Sequence, residues 1–332
     1  MQEEISSCTF LEGFLQIMNC RKLFTKILVA CVLFLSPTAN AKFESPVPTT
    51  EFEKMSFPPV YPTYSWRPIA NTEFYQVQVV QVTSSGEKIV RDLKNTEGFD
   101  RVTDFQPFTE KGKYFWRVRV VNQENIPLSD WSEKKFFEVT APVKFAVLGD
   151  SISHGGASFI PSGQISCQWE TFCDVPVKNI ARSGDTTAMM IERFERDVLP
   201  FQPKILIIFG GINDIREGAS AKKVIQNLKT LQKKCAANKI TPVFCTLTPM
   251  NEKILRGKGI TLTKSDWRGE RKKINSWILK NKFSVDISKN LYDADSELRA
   301  DFTPDGLHPD LRGKKFIGEE IEKFLLENFA EE

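Results

Sequence analysis

Residues 145–156 read FAVLGDSISHGG, an apolar strand that runs into a glycine, an aspartate and a serine before a short helical pattern. Downstream, further short apolar runs alternate with amphipathic segments of helical period. The strands are predicted at Phe145–Leu148, Val175–Ile180, Ile205–Phe209 and Val243–Leu247, and the helices at Thr186–Leu199, Ala219–Asn238, Lys264–Lys280 and Lys314–Asn328. Apolar, β-branched runs between such helices are typical of a parallel sheet that is covered on both faces. The sequence therefore predicts an α/β domain over residues 144–332.

The first strand-end loop places Ser151 at the start of a helix. In parallel α/β sheets, functional residues gather in the loops beyond the carboxyl ends of the strands. A serine at a helix N-terminus lies in a positive field, which favours a nucleophile, although such a serine more often only caps the helix. His154, three residues further on, is predicted to lie on the helix surface, and the alternative is that it lines the entrance to the site.

The last loop, TPDGLHP at residues 303–309, holds Asp305 three residues before His308. An acid at this spacing can bond Nδ1 of the imidazole and leave Nε2 free to face a hydroxyl nucleophile. Alone, this pattern is usually a loop ion pair. His308, however, is one of only two histidines in the chain, and its loop belongs to the functional edge of the sheet.

Two more strand-end loops offer hydrogen-bond donors. Acyl transfer needs donors for the developing oxyanion, each contributing about 3–4 kcal/mol when well aimed. Asn213 follows the third strand within GGIND and has a side-chain amide, and Gly184 follows the second strand within RSGDT. A glycine there allows the backbone N–H to approach a ligand closely. Taken singly, each of these residues is more commonly part of a turn.

Together these blocks resemble the motifs of the SGNH (GDSL) hydrolase family, in the order that the family has them. The matching positions are Gly149-Asp150-Ser151, Gly184, Gly211-x-Asn213 and Asp305-x-x-His308. The SGDTT and GGIND sequences are similar to the bacterial thioesterase–lysophospholipase branch. The resemblance covers the second domain and implies a three-layer, flavodoxin-like fold with a parallel sheet between helices.

The resemblance also implies a role for each matching residue. Ser151 is the nucleophile and supplies one oxyanion N–H, and the Gly184 N–H and the Asn213 side chain complete the oxyanion hole. His308 acts first as base and then as acid, and Asp305 orients it. This chemistry implies neither a metal nor an organic cofactor.

The first half of the chain has the period of β-strands. Tyr75, Val77 and Val79 alternate with glutamines, which indicates a half-buried strand. The sequences YFWRVRVV, DWS and FFEV resemble fibronectin type III domains, which implies an all-β sandwich over residues 64–140. Residues 42–63, rich in proline and threonine, are expected to form an extended lead-in. The sandwich either contacts glycan or only spaces the enzyme.

The N-terminus has the form of a secretory signal. Basic residues precede the apolar run Ile27–Leu35, and the small-residue site Ala39-Asn40-Ala41 follows it. Nine apolar residues are too few to cross a bilayer, which needs about twenty. We therefore predict that residues 1–41 contain a signal peptide that ends at Ala41. The stretch from Met1 to Ile17 is acidic and unlike a signal, which favours Met18 as the start of translation. The mature protein would then be secreted or periplasmic and without a stable membrane anchor.

Four cysteines remain after the predicted cleavage: Cys167, Cys173, Cys235 and Cys245. An even number in an oxidising compartment favours two disulfides. We predict local pairing of Cys167 with Cys173 and of Cys235 with Cys245, and buried free thiols are the alternative. A zinc site is not expected, because the spacings are unsuitable and the chain has only two histidines.

Several classes of function are disfavoured by composition and motifs. The formal net charge of +3 is spread over interspersed acidic and basic residues, so no footprint for nucleic acid is present. The α/β-hydrolase motif G-x-S-x-G and the phosphate-binding glycine motifs are absent. An enzyme is therefore favoured over the alternative of a non-catalytic adhesion or carbohydrate-binding protein.

The predicted substrate is a short-acyl O-ester on a carbohydrate. The two segments expected to shape access, Ser158–Cys173 and Met250–Leu262, are mostly polar, whereas a long acyl chain needs an apolar groove. Acyl-CoA is absent outside the cytoplasm, which disfavours an intracellular thioesterase role. Lysophospholipase-like or thioesterase-like activity and acyl transfer to a hydroxyl group are the alternatives.

Overall fold

The computed structural model describes residues 43–95, 100–156, 163–260, 262–263 and 266–330. The predicted signal peptide, with Met18 and Ile27–Leu35, lies outside these residues, as do Phe159 and Ile160 of the first access segment. Within the ranges described, the helices are too short or too polar to cross a membrane.

The N-terminal domain is an antiparallel sandwich of two sheets, as predicted. Its strands are β1 Val47–Pro48, β2 Thr63–Arg67, β3 Phe74–Thr83, β4 Gly86–Asn95, β5 Arg101–Thr103, β6 Gly112–Val121 and β7 Lys135–Val139. One sheet has the order β1-β2-β5 and the other has the order β4-β3-β6-β7. The first strand and a short 3-10 helix, Phe52–Lys54, both lie within the segment that was expected to be a lead-in.

The sandwich core is built by the alternation seen in the sequence. Val77 lies opposite Val118, and Tyr75 lies opposite Val120, across strands β3 and β6. All four side chains are fully buried. Side chains of this type pack well against their cross-strand neighbours, which explains why alternation alone predicts this sheet.

The second domain is a five-stranded parallel sheet flanked by helices. The strands are β8 Phe145–Gly149, β9 Val177–Asn179, β10 Ile205–Phe209, β11 Thr241–Cys245 and β12 Ser284–Val285. They lie in the order β12-β11-β10-β8-β9 and all pair in parallel. Counted within the domain, this is the flavodoxin-like order 2-1-3-4-5. Every residue of β8 and β10 is buried, as expected for strands covered on both faces.

The α-helices of this domain begin and end close to the predicted positions. They are α1 Ser151–His154, α2 Thr187–Glu192, α3 Phe194–Asp197, α4 Ile212–Arg216, α5 Ala221–Ala237, α6 Glu252–Gly257, α7 Trp267–Ile278 and α8 Leu311–Phe329. Short 3-10 helices lie at Ile165–Cys167, Trp169–Phe172, Leu199–Phe201 and Ala300–Phe302. The helix predicted over Thr186–Leu199 is divided at Arg193, whose guanidinium donates to the carbonyl oxygens of Ile180 and Gly149.

Besides the chain connection that follows β7, the two domains are in contact through the segment between β1 and β2. Residues 58–61 of this segment, here called the docking arm, pack against the α/β domain. The backbone N–H of Val60 donates to the carbonyl oxygen of Asn179 at 2.9 Å, and Lys178 Nζ donates to the carbonyl oxygen of Pro58 at 2.6 Å. Val60 and Tyr61 are fully buried. The docking arm therefore belongs to the core that the two domains share.

The four cysteines are free thiols, so the predicted disulfides are not formed. Cys173 Sγ instead lies 3.1 Å from the carbonyl oxygen of Gly318 on α8. Burial raises the pKa of Cys235 to about 12 and that of Cys245 well above its usual value. Cys235 and Cys245 therefore pack as small apolar side chains in the core.

Candidate active site

The nucleophile helix α1 is a single turn that begins at Ser151. Asp150 caps it, since its Oδ1 accepts from the backbone N–H of Ile152 at 3.0 Å. Gly149 precedes this cap, and a Cβ there would lie 2.8 Å from the carbonyl oxygen of Phe209. Glycine therefore allows β8 to approach β10 closely at the point where the nucleophile emerges.

Side chains from elsewhere in the chain satisfy the free carbonyl groups of α1. Asn179 Nδ2 donates to the carbonyl oxygen of Ser153 at 2.8 Å, and Gln168 Nε2 donates to that of His154 at 3.3 Å. Lys314 Nζ donates to the carbonyl oxygen of Ile152. A single helical turn is not stable by itself, so these contacts fix the backbone that carries Ser151.

Ser151, His308 and Asp305 form a hydrogen-bonded chain. Ser151 Oγ lies 2.8 Å from His308 Nε2, and His308 Nδ1 lies 2.7 Å from Asp305 Oδ2. Because the carboxylate can only accept, Nδ1 carries the imidazole proton and Nε2 is free to accept from the serine hydroxyl. The three predicted triad residues are thus brought together with the geometry that nucleophile activation requires.

Asp305 is buried and stays ionised. Burial by itself would raise the pKa of this carboxyl, but hydrogen bonds from the His308 side chain and backbone, and from the backbone of Leu307, hold the pKa well below its usual value. The two backbone N–H groups donate to Oδ1 at 2.8 Å each. The turn therefore fixes the carboxylate that orients His308.

The two predicted oxyanion donors lie on the neighbouring loops. Gly184 has a φ of +85°, and apart from its chain neighbours no heavy atom of the described residues lies within 4 Å of the position that a Cβ would occupy, so this side of Gly184 is open. Asn213 lies in the first turn of α4 and is almost fully buried. Its Nδ2 donates to the carbonyl oxygen of Asp185 at 2.9 Å, which leaves a second amide hydrogen for a ligand.

His154 is buried, which contradicts the prediction of a surface histidine. It is 0% exposed, and its Nε2 lies 2.8 Å from the carbonyl oxygen of Tyr61 in the docking arm. Its Nδ1 lies 3.2 Å from the backbone nitrogen of Ser183. The sequence could not show this role, because both partners are far from His154 along the chain.

Two ionisable groups at α1 are buried, the capping residue Asp150 and Lys314, and the sequence analysis had not singled out Lys314. Burial raises the pKa of Asp150 to about 7 and lowers that of Lys314 to about 8. A signal for Lys314 was available, since it lies three residues before Ile317 and seven before Ile321 on the apolar face of α8. A lysine on such a face is rare unless it has a partner.

The second access segment contributes fewer accessible side chains than its sequence suggested. Met250 and Leu255 are fully buried, and Asn251 caps α6 by accepting from the backbone N–H of Ile254. Lys253 and Arg256 are exposed. In the first access segment, Glu170 is buried and bonds Asn179.

The chain was compared with known families and structures. Residues 147–316 match the GDSL-like lipase/acylhydrolase family, and residues 55–141 match the family described as Rha78A-like, N-terminal immunoglobulin domain. A GDSL-like lipase from Bacteroides thetaiotaomicron is 20% identical over 57% of this chain and 92% of that chain, with a TM-score of 0.47. A lipase/acylhydrolase from Enterococcus faecalis is 23% identical over 55% of this chain and 95% of that chain, with a TM-score of 0.44. No curated protein sequence matches the chain.

Proposed function

This chain belongs to the GDSL-like lipase/acylhydrolase family, whose match spans just over half of it, and on that premise we propose that it is an exported esterase for short-acyl O-esters of carbohydrates. The observation that carries ester hydrolysis is the 2.8 Å contact between Ser151 Oγ and His308 Nε2, with Asp305 behind the imidazole. The proposal itself concerns the substrate class, short-acyl O-esters of carbohydrates, and the location outside the cytoplasm.

The triad supports a two-step acyl transfer. Ser151 Oγ attacks the ester carbonyl carbon while its proton passes to His308 Nε2, and the oxyanion accepts from the N–H groups of Ser151 and Gly184 and from Asn213. The alkoxide leaves with the proton from His308, which forms an acyl-serine. Water then attacks the acyl-serine with His308 again as base, so the acid is released and Ser151 regains its proton.

The preference for a short acyl chain is supported by where the apolar side chains of residues 250–262 lie. Met250 and Leu255 are 0% exposed, so they are committed to the core and are not free to cover an acyl chain. The exposed positions of this segment include Lys253 and Arg256, and Arg256 pairs with Glu252 at 2.6 Å. A polar surface beside a triad favours a hydroxyl-rich alcohol portion over a lipid.

The test is a series of p-nitrophenyl esters from acetyl to octanoyl, with acetylated sugars and lysophospholipid measured alongside. We expect kcat/KM to be highest for acetyl or butyryl and to fall with longer chains. The Ser151→Ala protein is the control for hydrolysis that does not depend on the nucleophile. A steady rise of about fourfold per methylene, which is the rate equivalent of about 0.8 kcal/mol of burial, would support the lysophospholipase-like alternative instead.

The same assays separate the remaining alternatives. Transfer of the acyl group to a sugar hydroxyl would appear by mass spectrometry as a new sugar ester in place of the free acid. An adhesion or carbohydrate-binding protein without activity would bind glycan and turn over none of these esters.

Export is supported by the sequence before Lys42. The basic stretch, the apolar run Ile27–Leu35 and the Ala39-Asn40-Ala41 site together predict cleavage after Ala41. We expect the protein recovered from outside the cytoplasm to have Lys42 as its first residue, which intact-mass measurement and N-terminal sequencing both determine. An uncleaved Ile27–Leu35 segment in the membrane fraction would instead indicate an anchored protein.

A further inference from the structure

We propose that His154 is a positioning residue of the oxyanion hole. It fixes the direction of the Gly184 N–H through its hydrogen bond to the backbone of Ser183, and the docking arm holds the His154 ring. The inference rests on the ester hydrolysis described above. It assigns to a buried histidine outside the triad an effect on kcat, and it assigns to the docking arm a role in holding that histidine.

The hydrogen bonds of His154 fix its tautomer. The carbonyl oxygen of Tyr61, 2.8 Å from Nε2, can only accept, so Nε2 carries the proton. The backbone N–H of Ser183, 3.2 Å from Nδ1, can only donate, so Nδ1 is unprotonated and can also accept from the Ser183 hydroxyl, whose Oγ lies 3.0 Å away. Both contacts therefore require the neutral ring. Burial lowers the pKa of His154 to about 4, and the cations Arg193, Lys314 and Arg182 add to this effect.

The contact with Ser183 matters because Ser183 and Gly184 are the central residues of one turn, which the Asp185 N–H closes on the carbonyl oxygen of Arg182 at 3.2 Å. The φ of Gly184, +85°, is one that glycine adopts freely, and apart from its chain neighbours no heavy atom of the described residues lies within 4 Å of its Cβ position. The direction of its N–H therefore depends on the adjoining peptide groups. His154 bonds one of them, and His154 also lies on α1, the helix that begins with Ser151. This bond links the two loops that supply the backbone donors of the oxyanion hole.

The docking arm is held on its other side by the sandwich. The backbone N–H of Phe108 donates to the carbonyl oxygen of Val60, and that of Asp104 donates to the carbonyl oxygen of Pro62, each at 2.8 Å. The carbonyl oxygen of Tyr61 lies between these two and points to the α/β domain. The sandwich thus fixes the acceptor that orients the His154 ring.

Two substitutions separate positioning from simple packing. In His154→Asn, the side-chain oxygen takes the place of Nδ1 and still accepts from Ser183, while the reach to Tyr61 is lost. In His154→Gln, the longer amide still donates to Tyr61, while the acceptor at the Nδ1 position is lost. For each variant we would measure kcat and KM with p-nitrophenyl acetate, and the melting temperature.

We expect His154→Gln to lower kcat by about tenfold to a hundredfold, which is the effect of misplacing one donor, with KM within about twofold of wild type. His154→Asn should keep most of kcat even if its melting temperature falls further. Val118→Ala, which removes buried methyl groups from β6, is the control for lost stability alone.

The proposal is overturned if both His154 variants lose kcat equally and in step with melting temperature, or if KM rises while kcat is unchanged. These outcomes differ from failure of ester hydrolysis itself, which would appear as a wild-type protein without turnover. An active wild type with kcat insensitive to both His154 substitutions also contradicts the inference.

Discussion

Ser151→Ala should lower kcat for ester hydrolysis by about 10⁴-fold to 10⁶-fold, and the oxyanion hole and substrate binding should leave a residual rate about 10³-fold to 10⁴-fold above the uncatalysed one. The substitution removes the hydroxyl oxygen that His308 can activate, Oγ at 2.8 Å from His308 Nε2. The side chain is small and makes no contact that the fold depends on elsewhere, so the protein should still fold. Turnover of p-nitrophenyl acetate and the melting temperature measure both effects.

His308→Ala provides the matched control for this prediction. Residues of a triad act as a unit, so His308→Ala should lower kcat about as much as Ser151→Ala does. The double variant should have a kcat no lower than that of either single variant. A serine-directed phosphonate should label Ser151 in the wild type alone. Wild-type turnover in Ser151→Ala, or labelling of a different serine, would contradict the assignment of the nucleophile.

The parts of the site that the sequence predicted are those set by local spacing. Asp305 and His308 lie in one turn, and Ser151 directly follows a strand, so their positions depend on little more than the order of the elements. The loops that carry Gly184 and Asn213 follow β9 and β10, the two strands that flank β8. Parallel strands bring their carboxyl ends to one edge of the sheet. Topology and short motifs were therefore sufficient to predict that Ser151, His308 and Asp305 meet, while the catalytic roles of these residues and of Gly184 and Asn213 stay predictions.

The parts that could not be predicted depend on contacts between distant segments. The sequence predicted His154 to lie on the helix surface, but the docking arm covers it. The arm itself lies in the segment that was expected to be an extended lead-in. Cys173 has a potential partner six residues earlier, but its Sγ is directed to the carbonyl oxygen of Gly318 on α8. A pairing rule based on number and spacing carries no information about such directions.

The oxyanion hole provides the second large effect. Asn213→Ala should lower kcat by about a hundredfold to a thousandfold, equivalent to about 3–4 kcal/mol of transition-state stabilisation, with little change in KM. Nδ2 of Asn213 uses one hydrogen on the carbonyl oxygen of Asp185, 2.9 Å away, and the other is available for the oxyanion. Because the charge on that oxygen develops only in the transition state, the lost donor should affect kcat.

A second buried asparagine makes this prediction specific. Asn227 on α5 donates from Nδ2 to Thr187 Oγ1 at 2.9 Å and lies outside the predicted oxyanion hole. Asn227→Ala should therefore lower the melting temperature while kcat stays within about threefold of wild type, because it removes a buried hydrogen bond and no oxyanion donor. If Asn213→Ala raised KM and left kcat unchanged, Asn213 would bind the substrate in its ground state. If the two alanine variants behaved alike, the loss would come from packing, and the donor to the oxyanion would have to be sought on another residue.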